Sequence, residues 1–144
     1  MQELIASLEL EPHPEGGFYR QIYKSPMTVV ECERTRAALT IIHFLLPAGQ
    51  VSRWHRVTSD EVWTFLRGEP LRLHRFDGSN AREVVLDETN AIQVVRAGEW
   101  QAAEPLGAYA LVACFVAPGF EFDDFALMPE ATAAKLPEQL RRLV

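Results

Sequence analysis

Glycine and proline divide this chain into short segments. They recur from Pro12 to Pro129, and most stretches between them are too short for helices of ordinary length. The stretches are instead rich in β-branched and aromatic residues, which favour strands. Those predicted as strands are Gly17–Tyr23, Ala37–Leu46, Glu61–Arg67, Leu71–Phe76, Glu83–Leu86, Ile92–Val95 and Tyr109–Ala117. Many short strands separated by turn residues are typical of a β-sandwich or β-barrel.

Only the two ends of the chain have a helical pattern. Met1–Leu8 is short and rich in apolar residues, and Ala131–Leu143 places three leucines at intervals of three or four residues. The sequence has no repeat and no low-complexity linker, and its 144 residues suit one domain. We therefore predict a single all-β domain over residues 1–144, with short terminal helices.

Charge and composition limit the classes of partner. Fourteen basic and 20 acidic residues give a formal net charge of −6, which opposes binding to a nucleic-acid backbone or an anionic membrane. No stretch approaches the roughly 20 apolar residues of a membrane span, and the first nine residues lack the apolar centre of a signal peptide. We expect a cytoplasmic protein, with Cys32 and Cys114 as reduced thiols.

Alternation along the predicted strands singles out one carboxylate. In Glu61–Arg67 it puts Glu61 on the same face as Trp63 and Phe65. An unpaired charge buried beside these rings would be costly, so Glu61 is expected to pair with His55 or an arginine, or to have a raised pKa. The segment Ala37–Leu46 is apolar on both faces. That pattern fits either a central strand or a subunit interface.

One spacing of residues resembles a known motif. Gly49, five residues, His55, five residues, Glu61, six residues and Gly68 resemble the first motif of the cupins. Three further segments resemble the DUF985 (cupin-5) family of that superfamily: Pro12–Arg20, Ser59–Trp63 and Val116–Phe122. The resemblance covers roughly residues 8 to 128. It implies a cupin-type jelly-roll β-barrel (double-stranded β-helix) with a ligand pocket in its mouth, commonly assembled as a homodimer.

The sequence departs from the cupin motifs at two metal-ligand positions. The second histidine of the first motif is replaced by Val57, and the histidine of the second motif falls near Ala110. A catalytic transition metal needs about three protein ligands, and only His55 and Glu61 remain. Residues on other strands that could complete a site are His43, His74 and Glu104. We expect no cofactor, and a divalent-metal-dependent cupin enzyme is the alternative.

The residue types favour acid–base chemistry on a small molecule. His55 and Glu61 are the predicted catalytic residues, and Tyr19 is a candidate phenolic acid. Because the family resembles sugar-nucleotide epimerases in fold, the resemblance suggests a metal-independent epimerase or isomerase. Its ligand would be small and polar, such as a sugar or a nucleotide. A non-catalytic binding or sensing module remains a further alternative, since fold alone does not fix chemistry.

Several other residues are candidates for contact with the ligand. Arg20 could bind an anionic group or form a structural salt bridge. Aromatic side chains could stack against a ring of the ligand, although each also suits ordinary core packing. The predicted aromatic contacts are Phe18, Trp63, Phe65, Trp100 and Phe115.

Overall fold

The computed structural model describes residues 1–31 and 33–144, so the predicted thiol of Cys32 lies outside the described residues. Strands dominate these residues. Two short α-helices, α1 Gln2–Ser7 and α2 Glu130–Ala133, lie near the ends, and 3₁₀ turns cover Phe122–Asp124 and Glu138–Leu143. The strands are β1 Glu11–Pro12, β2 Phe18–Lys24, β3 Thr28–Glu31, β4 Arg34–Ala37, β5 Thr40–Pro47, β6 Ser52–Val57, β7 Asp60–Gly68, β8 Leu71–Phe76, β9 Ala81–Leu86, β10 Ile92–Val95, β11 Trp100–Pro105, β12 Tyr109–Ala117 and β13 Phe125–Leu127.

The strands form two facing antiparallel sheets and one hairpin. The first sheet has the order β1-β2-β5-β12-β7-β10, and the second has the order β13-β6-β11-β8-β9. Neighbouring strands in space, such as β5 and β12, are distant in sequence, as in a jelly roll. The hairpin β3-β4 stands apart from both sheets. The predicted all-β jelly roll is confirmed.

The main core lies between the sheets. Alternate residues of each strand point inward, because side chains of a strand alternate between its two faces. On β7 the predicted alternation is correct for Glu61, Trp63 and Phe65, which are all buried. Beyond Phe65 the register with β12 shifts, and Arg67 is exposed. The core includes Phe44, Leu46, Trp63, Phe65, Leu71, Leu73, Leu86, Val95 and Val112.

Short terminal segments cover part of each outer face. Residues of α1 and Leu10 pack on Leu45 and Leu111, so this helix covers one end of the apolar outer side of β5. At the other terminus, the predicted continuous helix Ala131–Leu143 is wrong. The α-helix ends at Ala133 and a 3₁₀ turn follows Pro137, because proline lacks the N–H that a helix interior needs.

Two other strand predictions need correction. The segment predicted as one strand, Ala37–Leu46, is divided between β4 and β5. The sequence analysis also assigned no strand to residues 100–105, although β11 lies between β6 and β8 in the second sheet. Its central residues, Ala102 and Ala103, are fully buried but have weak strand propensity, and so gave no signal.

Candidate functional site

A narrow cavity opens between the two sheets at one end of the barrel. Its volume is about 30 Å³, and it opens to solvent at its mouth. Most of its wall is apolar or aromatic, while two histidine and two glutamate side chains from two strands and one turn meet inside it. The lining residues are His13, Glu15, Tyr19, Thr40, Ile42, Phe44, His55, Val57, Glu61, Cys114, Val116, Phe120 and Phe125.

The turn before β2 brings an unpredicted carboxyl group to this cavity. The backbone N–H of Arg53 on β6 donates to the carbonyl oxygen of Glu15 at 2.8 Å, which fixes the turn against the strand. Gly16 follows with φ of 110°, and a Cβ there would overlap the carbonyl oxygen of Val51. Only glycine suits this approach. The Glu15 side chain is consequently held against the β6 side of the cavity.

Glu15 and His55 form a buried pair. The His55 Nδ1 atom lies 2.7 Å from the carbonyl oxygen of Arg53, an acceptor, so Nδ1 carries the proton. The unprotonated Nε2 faces Glu15 Oε2 at 3.2 Å. The other carboxyl oxygen, Oε1, accepts a hydrogen bond from Ser52 Oγ at 2.7 Å. This arrangement leaves Glu15 Oε2 positioned to donate a proton to His55.

Burial decides where the proton of this pair lies. It raises the pKa of Glu15 to about 8, against the opposing effects of Ser52 and the nearby charge of Arg53. Burial also lowers the pKa of His55, more than Glu61 and the Arg53 carbonyl raise it. At neutral pH the carboxyl group is therefore protonated and the imidazole is neutral, and the pair carries no net charge.

His13 forms a second neutral imidazole in the cavity wall. Its Nδ1 accepts the backbone N–H of Glu15 at 3.3 Å, so its own proton is on Nε2. Burial, with the nearby His55, lowers the pKa of His13 to about 4. The ring of Tyr19 meets it edge to face, with centroids 4.6 Å apart. His13 thus adds a hydrogen-bonding ring without adding charge.

Glu61 is held by a chain of side-chain hydrogen bonds. The Trp63 Nε1–H donates to Gln101 Oε1 at 2.8 Å, so the amide of Gln101 must turn its NH₂ towards Glu61 Oε2, 2.6 Å away. Burial raises the pKa of Glu61, as expected from the sequence. Burial also raises the pKa of the neighbouring Cys114 thiol, which stays protonated. The cavity therefore holds a second carboxyl group whose pKa burial raises.

The predicted position of the second-motif histidine is wrong. Ala110 pairs with Gly68, at the opposite end of β7 from Glu61. The residue beside the first-motif histidine is Gln101, which pairs with His55 across β6 and β11. Because β11 was not predicted, the spacing was counted along the wrong strand. Gln101 follows Gly98 by three residues, and that spacing was the available signal.

The donors in the cavity do not fit a cupin-type metal ion. Val57 has no donor, and the oxygen of the Gln101 amide is already bonded to Trp63. The free nitrogen of His55 faces the protonated oxygen of Glu15. Over residues 1–31 and 33–144, no group of three or more His, Cys, Asp or Glu is arranged to hold a metal.

The three residues suggested as additional metal ligands lie elsewhere. On β5, His43 alternates with the inward-facing Phe44 and therefore points away from the cavity. His74 Nε2 is 3.1 Å from Glu104 Oε1, and this pair lies beside the C-terminal segment, where Arg142 also binds Glu104. None of the three lines the cavity.

The structure places the predicted catalytic residues together and the predicted ligand contacts apart. His55, Glu61 and Tyr19 all line the cavity. The six predicted contact residues do not, and each is held elsewhere by packing or pairing. Phe18 packs with α1, Trp63 and Phe65 lie in the main core, Trp100 lies beneath Arg56, Phe115 lies on the outer face of β12, and Arg20 pairs with Glu9.

The cavity residues that the sequence analysis missed include two polar and two aromatic ones: His13, Glu15, Phe120 and Phe125. His13 and Glu15 lie in the segment Pro12–Arg20, where only Tyr19 and its neighbours on β2 were considered. The two adjacent glycines were a usable signal, because they permit a close crossing of the chain over a strand. Phe120 and Phe125 flank the acidic run Glu121–Asp124, whose composition favours a solvated edge over a cavity wall.

Comparison with protein families agrees with the jelly-roll fold described above. The family described as "Cupin superfamily (DUF985)" matches residues 2–128. The chain belongs to this family. None of the functionally curated proteins matches it.

Solved structures with the same fold match almost the whole chain. A hypothetical protein from Leishmania major has a TM-score of 0.86 and 29% identity, with 99% of this chain and 95% of that chain covered. A protein from Shewanella oneidensis has a TM-score of 0.84 and 33% identity, with 99% and 93% covered. Oxalate decarboxylase from Bacillus subtilis has a TM-score of 0.64 and 16% identity, with 89% and 32% covered, and it supports the fold alone.

No helix in the described part of the chain is both long enough and apolar enough to cross a membrane.

Proposed function

We propose that this cupin is a metal-independent proton-transfer enzyme of the isomerase or epimerase type, acting on a small polar molecule in the cavity. The carrying observation is the buried pair of Glu15 Oε2 and His55 Nε2, 3.2 Å apart, with the proton on the carboxyl group. A protonated carboxyl group and a neutral imidazole held side by side can donate a proton to a substrate and accept a proton from it in the same step. General acid–base catalysis of this kind contributes typically 10²–10⁴-fold in rate.

The proposed chemistry uses both partners together. His55 Nε2 accepts the proton of a carbon next to a carbonyl group, while Glu15 Oε2 gives its proton to the carbonyl oxygen. The substrate becomes a neutral enol, and the pair becomes an imidazolium–carboxylate pair. Return of a proton to a different carbon gives isomerisation.

Epimerisation requires a proton to reach the opposite face of the same carbon. Glu61 is suited to this role, because it lines the same cavity and burial raises its pKa. The Trp63–Gln101 hydrogen bonds position its carboxyl group. The proposed pathway uses only groups of this chain, which agrees with the poor fit of the cavity donors to a metal.

Exchange of substrate protons for deuterium tests the proposal. The wild-type chain is incubated in D₂O with a panel of aldoses and cyclic 2-hydroxyketones, and loss of the α-proton signal is followed by proton NMR. We expect exchange with at least one compound, and a loss of about 10²-fold or more in Glu15→Gln and His55→Ala. Glu83→Gln is the matched control, because Glu83 is exposed on the second sheet, away from the cavity.

The result also separates the proposal from a binding module. Exchange that is equal in Glu15→Gln and Glu83→Gln would contradict the assigned acid–base pair. Binding of a panel compound without any exchange would favour the non-catalytic binding or sensing function.

A further inference from the structure

We infer that the ligand of this cavity is a flat ring compound that carries no anionic group, and that the cavity rejects carboxylates and phosphates. The inference rests on the proposed function only in taking this cavity as the ligand site. It concerns the charge and shape of the ligand, whatever reaction follows.

The described lining of the cavity includes no lysine or arginine. Two arginines that flank lining residues, Arg53 and Arg36, are engaged elsewhere. Arg53 Nη2 donates to the carbonyl oxygen of Pro14, and Arg36 Nη2 donates to Ser59 Oγ at 2.8 Å and to the Gly119 carbonyl at 2.7 Å. A carboxylate or phosphate inside the cavity would have no cationic partner, and burying an unpaired anion is costly.

The ionisable groups of the cavity also disfavour an anionic ligand. Glu15 and Glu61 are buried in its wall, and a carboxyl group there carries either no charge or a negative charge. His13 and His55 are both neutral tautomers, since each ring has one nitrogen acting as acceptor. The cavity is therefore neutral or negative, and an anionic ligand would be repelled or unpaired.

The aromatic walls define the shape of the ligand. The rings of His55 and Phe125 stack against each other, 30° apart with centroids separated by 5.5 Å, so a ligand ring would lie beside this pair and not between the two rings. Phe44 and Phe120 add further aromatic surface, and the polar groups of Glu15 and Glu61 provide hydrogen bonds. A flat ring bearing an oxygen or amide group would complement both features.

This inference narrows the ligand class expected from the sequence. A nucleotide would bring phosphate groups that the described cavity lining has no cation to bind. A flat ring compound without an anionic group is compatible with the wall. The nucleotide ligand suggested by the family resemblance therefore does not fit the charge of this cavity.

Three matched probes test the inference. Benzamide, benzoate and phenyl phosphate share a flat ring and differ in the charge of one substituent at pH 6.5. Binding to the wild-type chain is measured by titration with ligand-observed NMR. We expect benzamide to bind at least tenfold more tightly than benzoate or phenyl phosphate.

Two variants locate the binding. Phe120→Ala removes aromatic wall and is expected to weaken benzamide binding at least fivefold. Phe115→Ala is the control, because Phe115 lies on the outer face of β12, and it should bind benzamide like the wild type.

Three results would overturn the inference. The first is binding of benzoate or phenyl phosphate as tight as that of benzamide. The second is the absence of benzamide binding at millimolar concentration, and the third is equal binding in both phenylalanine variants. These outcomes are independent of deuterium exchange, so failure of the charge assignment is distinguishable from failure of the proposed reaction.

Discussion

At the scale of single residues, Glu15 is protonated because the turn that carries it is pressed onto β6. Its carboxyl group is buried, accepts a hydrogen bond from the Ser52 hydroxyl and donates one to the neutral imidazole of His55. Ser52 and Arg53 favour the charged form, but burial has the larger effect on the pKa. The raised pKa of Glu15 is thus a consequence of the close chain crossing at Gly16.

The raised pKa of Glu15 predicts how stability changes with pH. Between about pH 4.5 and 8 the folded state holds a proton that the unfolded state has lost, so this residue makes folding less favourable as pH rises. In Glu15→Gln this contribution is absent. We expect the stability of the variant, relative to wild type, to rise by at most about 1.4 kcal/mol per pH unit across this range.

Urea unfolding at several pH values measures this difference. His13, with a pKa of about 4, has the opposite effect between about pH 4 and 6.5, but it is present in both proteins. A constant stability difference between wild type and Glu15→Gln from pH 5 to 8 would show that Glu15 has an ordinary pKa.

The site was only partly predictable from its residues. His55 and Glu61 followed from a motif spacing, and the raised pKa of Glu61 followed from its aromatic neighbours on the same strand face. Glu15 could not be placed, because its role depends on a contact between the turn and β6, which are distant in sequence. The aromatic contacts were misplaced because large rings suit a core as well as a cavity.

At the scale of elements, the segment after β12 forms one wall of the cavity and is held by the hairpin β3-β4. Arg36, on β4, is 3% exposed and donates to the carbonyl oxygens of Pro118 and Gly119. The backbone N–H of Gly119 in turn donates to Ala37 on the same hairpin. The hairpin therefore positions Phe120 at the cavity.

Replacement of Arg36 tests this connection. In Arg36→Met the carbonyl oxygens and Asp124 lose a buried cationic partner, and we expect a stability loss of about 3–5 kcal/mol. Hydrogen exchange of the Gly119 and Phe120 amides should become faster before global unfolding. Arg56→Met is the control, because Arg56 is an exposed residue over Trp100. Unchanged amide protection in Arg36→Met would contradict the role of the hairpin.

Strands with strong patterns were predicted and strands with weak patterns were not. The alternation in β7 and the aliphatic character of β5 and β12 gave their positions. The alanines of β11 and the exposed residues of β3 carry little strand signal, and their pairing depends on neighbours far along the chain. The leucine spacing near the C-terminus predicted burial correctly, because Leu136 and Leu143 are both buried. It did not predict the type of helix, because Pro137 lies between these two leucines and a 3₁₀ turn follows it.

At the scale of the whole molecule, one outer apolar face of the first sheet is partly exposed in the described chain. Cross-strand pairs connect Ile41 to Phe115, Phe115 to Val62, and Val62 to Val94. The first three of these residues are half-buried, Val94 is exposed, and Ile92, next along β10, is 60% exposed. A contiguous, partly exposed apolar surface of this kind is typical of an interface.

We predict a homodimer that buries this face. Sedimentation equilibrium at micromolar concentration should give the dimer mass for the wild type and the monomer mass for Ile92→Glu, because a buried unpaired carboxylate opposes association. Leu106→Glu changes an exposed loop residue and is the control. A monomeric wild type would refute the prediction.

The metal-independent account also makes a prediction for the whole protein. Purified without added metal, the chain should contain far less than one transition-metal ion per molecule by elemental analysis. Treatment with a chelator should leave deuterium exchange unchanged. Stoichiometric zinc, iron, nickel or manganese, lost on chelation together with activity, would instead favour a metal-dependent cupin enzyme.

The central claim is that the Glu15 carboxyl group carries a proton at neutral pH beside a neutral His55. Carbon-13 NMR of protein labelled at glutamate Cδ measures this directly, with the Glu15 signal assigned by its absence in Glu15→Gln. The account predicts a titration midpoint of about 8. A midpoint near the ordinary value of 4.5 would contradict it, because Glu15 would then be ionised at neutral pH and have no proton to donate.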